Sequence, residues 1–203
     1  VYLSLMLLLS GCSSLQDNQN DDPFEGFNRK THEFNQSLDK NIIRPAAVIY
    51  SGYVPASIQN FISNIAENLL MPGYVVNNLL QGDLESGVKN TVQFAMNSTL
   101  GLGGIMHPAE ALDIQGKKTD FGQTLNVWGA KEGPYLVLPF VGPSTGRDTF
   151  GILGDLTMDP IGRMLTADAR VYTYGVKVTN VLGNRARFLG MIDSVLYESA
   201  DSY

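Results

Sequence analysis

Apolar residues recur at helical spacing along most of this chain, but prolines and glycines keep each stretch short. The first apolar stripe consists of Phe27, Phe34, Leu38 and Ile42, which lie seven, four and four positions apart. Pro45 is expected to stop this helix, because a proline inside a helix lacks the backbone N–H that the helix needs. Twenty-one glycines and nine prolines among 203 residues divide the rest of the chain in the same way. The sequence therefore predicts an all-α fold of short amphipathic helices.

Two further helices are predicted in the first half of the chain. One follows Pro55, which suits the first turn of a helix, and carries apolar residues at helical spacing over residues 58–69. The other begins after Asp83, whose carboxylate is a good N-cap, and stops within Asn97–Gly101. The apolar face of such a helix either packs in a protein core or faces lipid, and periodicity alone does not distinguish the two.

The second half of the chain predicts one short helix and one long amphipathic pattern. Thr119–Asp120 offers caps for the short helix, which ends at Gly129. The long pattern runs over residues 171–196. Gly183 is the residue most expected to interrupt a helix there, because glycine has a low helix propensity. After the first few residues, no stretch approaches the roughly 18 consecutive apolar residues of a transmembrane helix.

Residues 1–12 have the pattern of a bacterial lipoprotein signal peptide. An apolar run too short to span a bilayer leads into Leu9-Ser10-Gly11-Cys12, which contains the one cysteine of the chain. This pattern predicts a signal peptide over residues 1–11 and a lipid-modified Cys12. The alternative is an ordinary secretory signal that ends near a buried cysteine. Two or more acyl chains on Cys12 would anchor the protein effectively permanently, because each buried CH₂ contributes about 0.8 kcal/mol.

Residues 12–22 are predicted to form a flexible tether, and residues 23–203 one folded domain. The tether is rich in serine, glutamine, asparagine and aspartate and has no aromatic residue. Ser13, rather than an aspartate, follows the cysteine, and by resemblance to lipoproteins in general this implies sorting to the outer membrane. The net charge of −6 argues against a nucleic-acid partner.

Residues that carry enzyme or metal chemistry are sparse. His32 and His107 are the two histidines, and they lie far apart in the sequence, so no zinc site is expected. A lipidated Cys12 is not available as a nucleophile. Both histidines are predicted to lie on the surface. The glycines of residues 101–104 lack the spacing of a phosphate-binding loop and follow a helix rather than a strand. We therefore expect no metal, no cofactor and no catalytic residue.

A single hydrolase-like pattern, G-x-S-x-G, lies at residues 142–146 around Ser144. It follows the one stretch that looks extended, Tyr135–Val141, in which Pro139 indicates an edge strand or a loop. A nucleophilic serine in this setting needs a histidine later in the chain, and no histidine follows Ser144. The alternation of strands and helices that builds such a fold is also missing. We predict a turn residue at Ser144, with a Ser144-dependent lipid hydrolase as the alternative.

Six motifs, in the same order along the chain, resemble those of the MlaA/VacJ lipoproteins. They are Asp22 to Arg29 (DPFEGFNR) with Phe34-Asn35 and Arg44-Pro45, Asn77 to Gly82 (NNLLQG), Asn97 to Gly104, Phe121 to Leu125, Gly133 to Phe140, and Gly142 with Arg147-Asp148. The matching residues include Phe27, Asn28, Arg29, Asn35, Pro45, Gly82, Phe121, Gly122, Gly133, Pro134, Tyr135, Pro139, Arg147 and Asp148. Each motif is short, but together with the signal sequence they are specific, and the resemblance runs in order from about Asp22 to Tyr203.

The resemblance implies a fold and a function. Members of this family are outer-membrane lipoproteins that remove phospholipid misplaced in the outer leaflet. They are ring-like assemblies of short amphipathic helices embedded in the inner leaflet, with a polar central channel. They associate with trimeric porins and pass lipid to a soluble periplasmic carrier, which feeds an inner-membrane ABC transporter. Members usually continue beyond the position of Tyr203, so the resemblance implies a shortened C-terminus in this chain.

A channel for phospholipid needs polar partners for the headgroup, because hydrocarbon desolvates charge at high cost. Candidate channel and loop residues are Asn97, Ser98, Thr99, Gly101, Gly103 and Gly104. The alternative for these residues is the end of a helix, capped by a glycine turn. A structural lipoprotein without a transport role would share the signal peptide and the helices but would need no polar channel.

Overall fold

The computed structural model describes residues 22–199 and 201–203 of the chain. The predicted signal peptide, Cys12 and the tether up to residue 21 lie outside the described residues. Within the described residues the fold is helical apart from one two-stranded sheet, so the all-α prediction is confirmed.

Ten α-helices account for most of the described residues. They are α1 (Glu25–Leu38), α2 (Arg44–Tyr53), α3 (Ala56–Leu80), α4 (Leu84–Thr99), α5 (Pro108–Ala111), α6 (Phe121–Val127), α7 (Gly146–Met158), α8 (Pro160–Met164), α9 (Ala167–Arg187) and α10 (Leu189–Asp193). The strands are β1 (Tyr135–Leu138) and β2 (Gly142–Thr145), and π-helical turns cover Asp39–Ile43 and Ser194–Glu198. None of the helices in the described part of the chain combines the length and the hydropathy that crossing a bilayer requires.

The helix that was predicted to stop at Pro45 continues past it. The π-helical turn Asp39–Ile43, in which the Arg44 N–H donates to the Asp39 carbonyl oxygen, joins α1 to α2. Pro45 therefore lies in the first turn of α2, where a backbone N–H has no helical partner and a proline is tolerated. The prediction was wrong because the spacing of apolar residues does not reveal a local π-helical turn.

The longest described helix, α3, is the centre of the fold and packs against α4, α6, α8 and α9. It continues well beyond the predicted apolar stretch to Leu80 and contains Pro72. The N-cap predicted at Asp83 is confirmed, because its Oδ1 accepts a hydrogen bond from the Ser86 N–H at 3.0 Å. The following helix, α4, ends at Thr99, as the sequence predicts.

The short helix α6 agrees with its prediction, whereas the long pattern predicted over residues 171–196 is divided at Phe188 between α9 and α10. Asp120 caps α6 by accepting from the Gln123 N–H at 2.8 Å, and Gly129 follows the helix with a φ of +89°. Gly183 does not interrupt α9, which continues to Arg187. A glycine inside a helix costs only about 1 kcal/mol, and the packing of α9 against α2 and α3 offsets that cost.

The two strands form one antiparallel hairpin. The extended stretch predicted at Tyr135–Val141 is confirmed over β1, and Pro139 lies in the turn that follows it. The partner strand was not predicted, because its first two residues are a glycine and a proline, which are depleted in strands. Ser144 pairs within β2, so the prediction of a turn residue there is wrong.

Burial in this fold is inverted relative to a water-soluble protein. Among the described residues, the buried hydrophobic ones are only Ala47, Ala66, Met71, Ala109 and Val137. The buried polar or charged ones are Asn28, Thr31, Asp39, Asn68, Asn77, Asn78, Asn90, Gln93, Asn97, Thr119, Thr124 and Arg185. Large apolar side chains are exposed on most helices, among them Ile49, Leu84, Phe150, Leu156, Met164 and Val171. Apolar surface of this extent indicates contact with a membrane or with partner proteins.

Candidate functional site

A network of buried polar side chains connects α3, α6 and α7. The Asn77 side-chain amide donates to Asp155 Oδ1 at 2.9 Å and accepts at its own Oδ1 from the Thr124 hydroxyl at 2.8 Å. Gln81 donates to the hydroxyls of Thr119 and Thr124 at 2.7 and 2.9 Å. Buried amides and hydroxyls destabilise a fold unless they are hydrogen-bonded. The network therefore fixes the relative positions of the three helices.

The contact between α6 and α7 depends on glycine. A Cβ at Gly151 would lie 2.5 Å from the backbone nitrogen of Gly122, so the two helices approach this closely only because neither residue carries a side chain. The Phe121 N–H donates to both carboxylate oxygens of Asp155, at 3.1 and 3.2 Å, and the Phe121 ring covers Gly154. These contacts give Phe121 and Gly122 a positioning role beside the buried network.

A cavity of about 320 Å³ lies beside this network, between α3, α7, α8 and α9. Its apolar walls include Leu69, Leu70, Val76, Ile152, Leu156 and Met158. Its polar lining residues are Tyr74, Asn77, Thr119, Asp120, Asp155, Asp159 and Lys177. Apolar walls with a small number of polar groups are typical of sites for small molecules. We call this space the α3–α9 cavity.

The charged side chains of the α3–α9 cavity have no charged partner within the described part of the chain. This holds for Asp120, Asp155, Asp159 and Lys177. Asp120 and Asp159 instead accept a backbone N–H at the starts of α6 and α8, at 2.8 and 3.1 Å. Burial raises the pKa of the Tyr74 phenol, and the neighbouring carboxylates raise that pKa further. Three carboxylates and one ammonium leave the cavity with an excess of negative charge.

Helix α1 holds the β-hairpin through two asparagines. Asn28 donates to the Tyr135 carbonyl oxygen at 3.1 Å and accepts at 2.8 Å from the backbone N–H two residues beyond Tyr135. Asn35 donates to the Leu138 carbonyl oxygen at 2.9 Å and accepts, also at 2.9 Å, from the backbone N–H two residues beyond Leu138. Positions seven apart share one face of a helix. The two amides therefore bond to the edge of β1 as a neighbouring strand would.

Other residues of the sequence motifs hold the base of the hairpin. Gly133 has a φ of +76°, a conformation that favours glycine, and the Pro134 carbonyl oxygen accepts from the first N–H of α7 at 2.9 Å. Arg147 donates to Asp148 at 3.2 Å and to the side-chain oxygen of Asn126 at 2.9 Å. The hairpin is therefore fixed to α1 on one side and to α7 on the other, and Arg147 joins α7 to α6.

The remaining motif residues lie away from the cavity. Phe27 is exposed on α1. Arg29 pairs with Glu25 at 2.8 Å and lies 4.4 Å from the ring centroid of Tyr203. Gly82, with a φ of +77°, turns the chain between α3 and α4. These residues make surface contacts or turns, and none of them lines the α3–α9 cavity.

The channel residues predicted at Asn97 to Gly104 form the end of α4 and the turn after it. Asn97 is fully buried, its Oδ1 accepts from the Ala109 N–H at 3.4 Å, and its Nδ2 has no partner among the described residues. Gly103 and Gly104 have φ values of +75° and +94° and donate their N–H groups back to carbonyl oxygens of Ser98 and Asn97. This geometry is the capping glycine turn that the sequence left open as the alternative.

The other loop candidates also make local contacts. The Thr99 hydroxyl donates to the Ala95 carbonyl oxygen at 2.7 Å, and the Ser98 hydroxyl accepts from Asn68 at 3.0 Å. Gly101 is buried, and a Cβ there would clash with the Met106 carbonyl oxygen. None of the six candidates lines the α3–α9 cavity, and their role in lipid passage stays a prediction.

The side chains considered for catalysis or metal binding lie apart from one another. Ser144 Oγ lies 3.3 Å from a threonine hydroxyl on α7. His32 Nε2 lies 2.8 Å from Ser202 Oγ, and His107 Nε2 donates to the Asn64 carbonyl oxygen at 3.0 Å. Both histidines are half-buried, rather than on the surface as predicted. No group of three metal-binding side chains lies within residues 22–199 and 201–203.

A buried ion cluster fastens α9 and α10 to the junction of α1 and α2. Arg185 donates to both carboxylate oxygens of Asp39, at 2.9 and 2.8 Å, and to Asp193 at 2.6 Å. Arg44 pairs with Asp193 at 2.8 Å, and the Tyr197 hydroxyl donates to Asp39 at 2.6 Å. Hydrogen bonds from Arg44 and Arg185 lower the pKa of Asp193 to about 2. Burial alone would raise the pKa of Asp39, but the hydrogen bonds from Arg185 and Tyr197 outweigh it and hold this pKa below its usual value.

Sequence reasoning missed most of the charged groups described above. Asp155, Asp159 and Lys177 come from α7, the turn before α8, and α9, so no local motif connects them. Asp120 was identified, but only as a helix cap. The partners of Arg185 in the ion cluster are likewise distant in sequence.

Comparison with known proteins places the chain among characterised relatives. The profile of the family described as "MlaA lipoprotein" matches residues 20–203. Two curated relatives share the name "Intermembrane phospholipid transport system lipoprotein MlaA". The Escherichia coli K12 protein is 38% identical, over 97% of this chain and 78% of its own length. The Haemophilus influenzae protein is 30% identical, over 97% of this chain and 80% of its own length.

A solved structure shares this fold. Its description reads "Structural basis for maintenance of bacterial outer membrane lipid asymmetry", and it matches with a TM-score of 0.75 and 34% sequence identity. The match covers 91% of this chain and 92% of the solved chain. On the agreement of sequence profile, curated relatives and solved structure, the chain belongs to the MlaA lipoprotein family.

Proposed function

We propose that this protein moves phospholipid in an intermembrane transport system and so maintains the lipid asymmetry of the outer membrane. The observation that carries the proposal is the inverted burial, in which exposed apolar side chains surround buried polar groups. The names of the curated relatives and the description of the solved relative support the same function.

The inverted burial suits a protein embedded in a single leaflet. Exposed apolar side chains such as Phe150 and Leu156 on α7 and Val178 on α9 would contact acyl chains. A ring of short amphipathic helices in the inner leaflet presents this surface to lipid and keeps its polar groups inside. A structural lipoprotein without a transport role would not need an inward-facing polar surface beside a cavity.

We assign the headgroup of the transported phospholipid to the α3–α9 cavity. A phosphate desolvated in hydrocarbon without a partner costs many kcal/mol, so its path must offer hydrogen bonds or opposite charge. Among the described residues Lys177 is the one cationic side chain that lines the cavity, and the Tyr74 hydroxyl adds a hydrogen-bonding group. The apolar walls would contact the first carbons of the acyl chains.

The proposal extends to the direction of transport and the partners. Phospholipid misplaced in the outer leaflet passes through the protein and is handed to a soluble periplasmic carrier that feeds an inner-membrane ABC transporter. A trimeric porin holds the protein in the outer membrane together with the lipid on Cys12. The protein performs no covalent step, so it acts as a passage and not as an enzyme.

Filling the α3–α9 cavity tests the proposal. Gly73 lines the cavity from α3, and a Cβ there meets nothing within 4 Å, so Gly73→Trp directs its side chain into open space. Gly175→Trp is the matched control, because Gly175 lies inside α9, is exposed, and also has nothing within 4 Å of a Cβ. Both changes replace a helical glycine by the same residue.

The readout is outer-leaflet phospholipid, measured through an outer-membrane enzyme that acts on it, in cells that make equal amounts of each variant. We expect Gly73→Trp to raise surface phospholipid and detergent sensitivity, and Gly175→Trp to keep the wild-type level. Wild-type asymmetry with Gly73→Trp would exclude the cavity as the passage. Wild-type asymmetry in a deletion strain with no redundant system would exclude the transport function itself.

The lipid anchor has its own test. Cys12→Ala removes the thiol that would carry the acyl chains, so the precursor should stay uncleaved or reach the wrong compartment in cell fractionation. Normal maturation and outer-membrane sorting of Cys12→Ala would contradict the assignment of residues 1–11 as a lipoprotein signal peptide.

A further inference from the structure

We propose that the α3–α9 cavity selects zwitterionic phospholipids whose headgroup carries an ammonium group over phospholipids with a net negative headgroup. This inference rests on the proposed function and adds a substrate preference to it. It follows from which charged side chains line the cavity and from their lack of partners in the described chain.

Negative charges outnumber positive charges among the described side chains that line the cavity. Among the described residues, Asp120, Asp155 and Asp159 line it together with one cation, Lys177. Aspartate and lysine side chains are both ionised at neutral pH, which leaves two negative charges in excess. None of the four makes an ion pair with another described residue. Within the described part of the chain, the carboxylates accept hydrogen bonds from N–H groups but have no cationic partner.

These charges match those of a zwitterionic headgroup. A phosphoethanolamine headgroup carries a phosphate, which complements Lys177, and an ammonium, which complements the carboxylates. A phosphoglycerol headgroup carries the phosphate but no cation, so it faces the excess negative charge without compensation. The volume of about 320 Å³ is within the range of small-molecule sites and suits a headgroup rather than a whole lipid.

A bound headgroup would also meet the electrostatic field of carboxylates near Tyr74. Tyr74 also lines the cavity. Burial is the main reason that the pKa of its phenol is raised, and the charges of Glu67, Asp120 and Asp155 raise that pKa further. The negative charge of these carboxylates therefore disfavours ionisation of the phenol at the cavity wall. The same charge would favour a positive group of a bound ligand and disfavour a negative one. The protonated phenol adds a hydrogen-bond donor for a phosphate oxygen.

Asparagine substitutions separate the charge of the carboxylates from their structural role. Asp159 accepts the Gly162 N–H at the start of α8, and asparagine is an equally good N-cap, so Asp159→Asn removes one negative charge and keeps the helix. Asp168→Asn is the matched control, because Asp168 lies in the exposed first turn of α9 and does not line the cavity.

The experiment offers the purified full chain, in detergent, equal amounts of dioleoyl phosphatidylethanolamine and dioleoyl phosphatidylglycerol. The lipid that co-purifies after removal of the excess is quantified by mass spectrometry. A charge pair that water partly screens changes an equilibrium by roughly two- to fivefold. We expect wild type to enrich the zwitterionic lipid, Asp159→Asn to reduce that enrichment roughly two- to fivefold, and Asp168→Asn to leave it unchanged.

The outcomes distinguish this inference from the proposed function. Co-purification of both lipids in the supplied ratio would overturn the selectivity and leave the transport function standing. An enrichment that Asp159→Asn does not reduce, or that Asp168→Asn reduces equally, would also overturn the selectivity, because the cavity charge would not be its source. No co-purified phospholipid of either kind would count against the proposed function itself.

Discussion

Replacing Arg185 by methionine should destabilise the protein severely, because Arg185 is the centre of the buried ion cluster. Its side chain is 6% exposed and that of Asp39 is 11% exposed, so both charges are largely removed from water. Methionine keeps much of the length and apolar volume of the arginine stem. The substitution therefore removes the guanidinium without leaving a large cavity.

The magnitude follows from the groups that lose their partner. In Arg185→Met, Asp193 retains Arg44, but the Asp39 carboxylate retains only the hydroxyl of Tyr197. Removing one partner of a buried ion pair costs about 3–5 kcal/mol, since the other charge stays desolvated. A domain of this size has a total stability of about 5–15 kcal/mol. The loss should lower the melting temperature by about 6–20 °C.

Thermal unfolding of the purified protein in detergent, followed by circular dichroism, measures this effect. Arg187→Met is the matched control, because Arg187 lies two residues further along α9 and is exposed, so it should change stability by less than about 0.5 kcal/mol. The double variant Asp39→Leu with Arg185→Met should recover part of the loss, because it leaves no buried carboxylate unpaired. Equal effects of Arg185→Met and Arg187→Met would refute the reasoning.

Three further predictions concern pH, the glycine turn and Ser144. Asp193 stabilises the fold at pH values above its unfolded pKa of 3.8, and this contribution is lost as the pH falls through its folded pKa of about 2. The melting temperature should therefore stay level from pH 7 to about pH 5 and fall between about pH 4 and pH 2. Gly104→Val should destabilise more than Gly103→Val in the same melting assay, because both glycines have positive φ but only at Gly104 would a Cβ clash, with the Asn68 side chain. Ser144→Ala should leave outer-membrane phospholipid asymmetry unchanged, and an esterase activity lost in this variant would contradict the proposal that the protein is not an enzyme.

Helix boundaries were predictable from the sequence where one side chain determines them. Asp83 and Asp120 accept hydrogen bonds from backbone N–H groups three residues later, and this contact depends only on local sequence. The passage from α1 to α2 was not predictable in this way. The π-helical turn at Asp39–Ile43 brings Asp39 to Arg185, a partner 146 positions away, and no local pattern encodes that contact.

The charge of the α3–α9 cavity was not predictable for the same reason. Its carboxylates have ordinary local roles, since Asp120 and Asp159 each cap a helix. Their common position beside Lys177 depends on how α7 and α9 pack around α3. Single-sequence reasoning identifies the caps and cannot identify the cavity that they share.

The apolar stripe of α1 was predicted correctly, but the sequence left open whether the stripe faces the protein interior or the outside. Phe27, Phe34 and Ile42 are exposed, whereas Asn28 and Asp39, on another face of this helical segment, are buried. A helix of a water-soluble protein would bury the first set and expose the second. The apolar pattern is the same in both cases, so it carries no information about which side is inside.

The composition of the polar stripe carries that information. On α4, Asn90, Gln93 and Asn97 recur at helical spacing and are buried, and none of them is charged. A helix face exposed to water is usually rich in lysine and glutamate, whereas amide side chains both donate and accept and so can satisfy backbone groups of neighbouring segments. Asn90 and Asn78 illustrate this, because both donate to the Lys117 carbonyl oxygen at 3.0 Å. An uncharged amide stripe opposite an apolar stripe therefore predicts an interior of hydrogen-bonded polar groups with lipid outside, which is the arrangement that a passage for phospholipid headgroups requires.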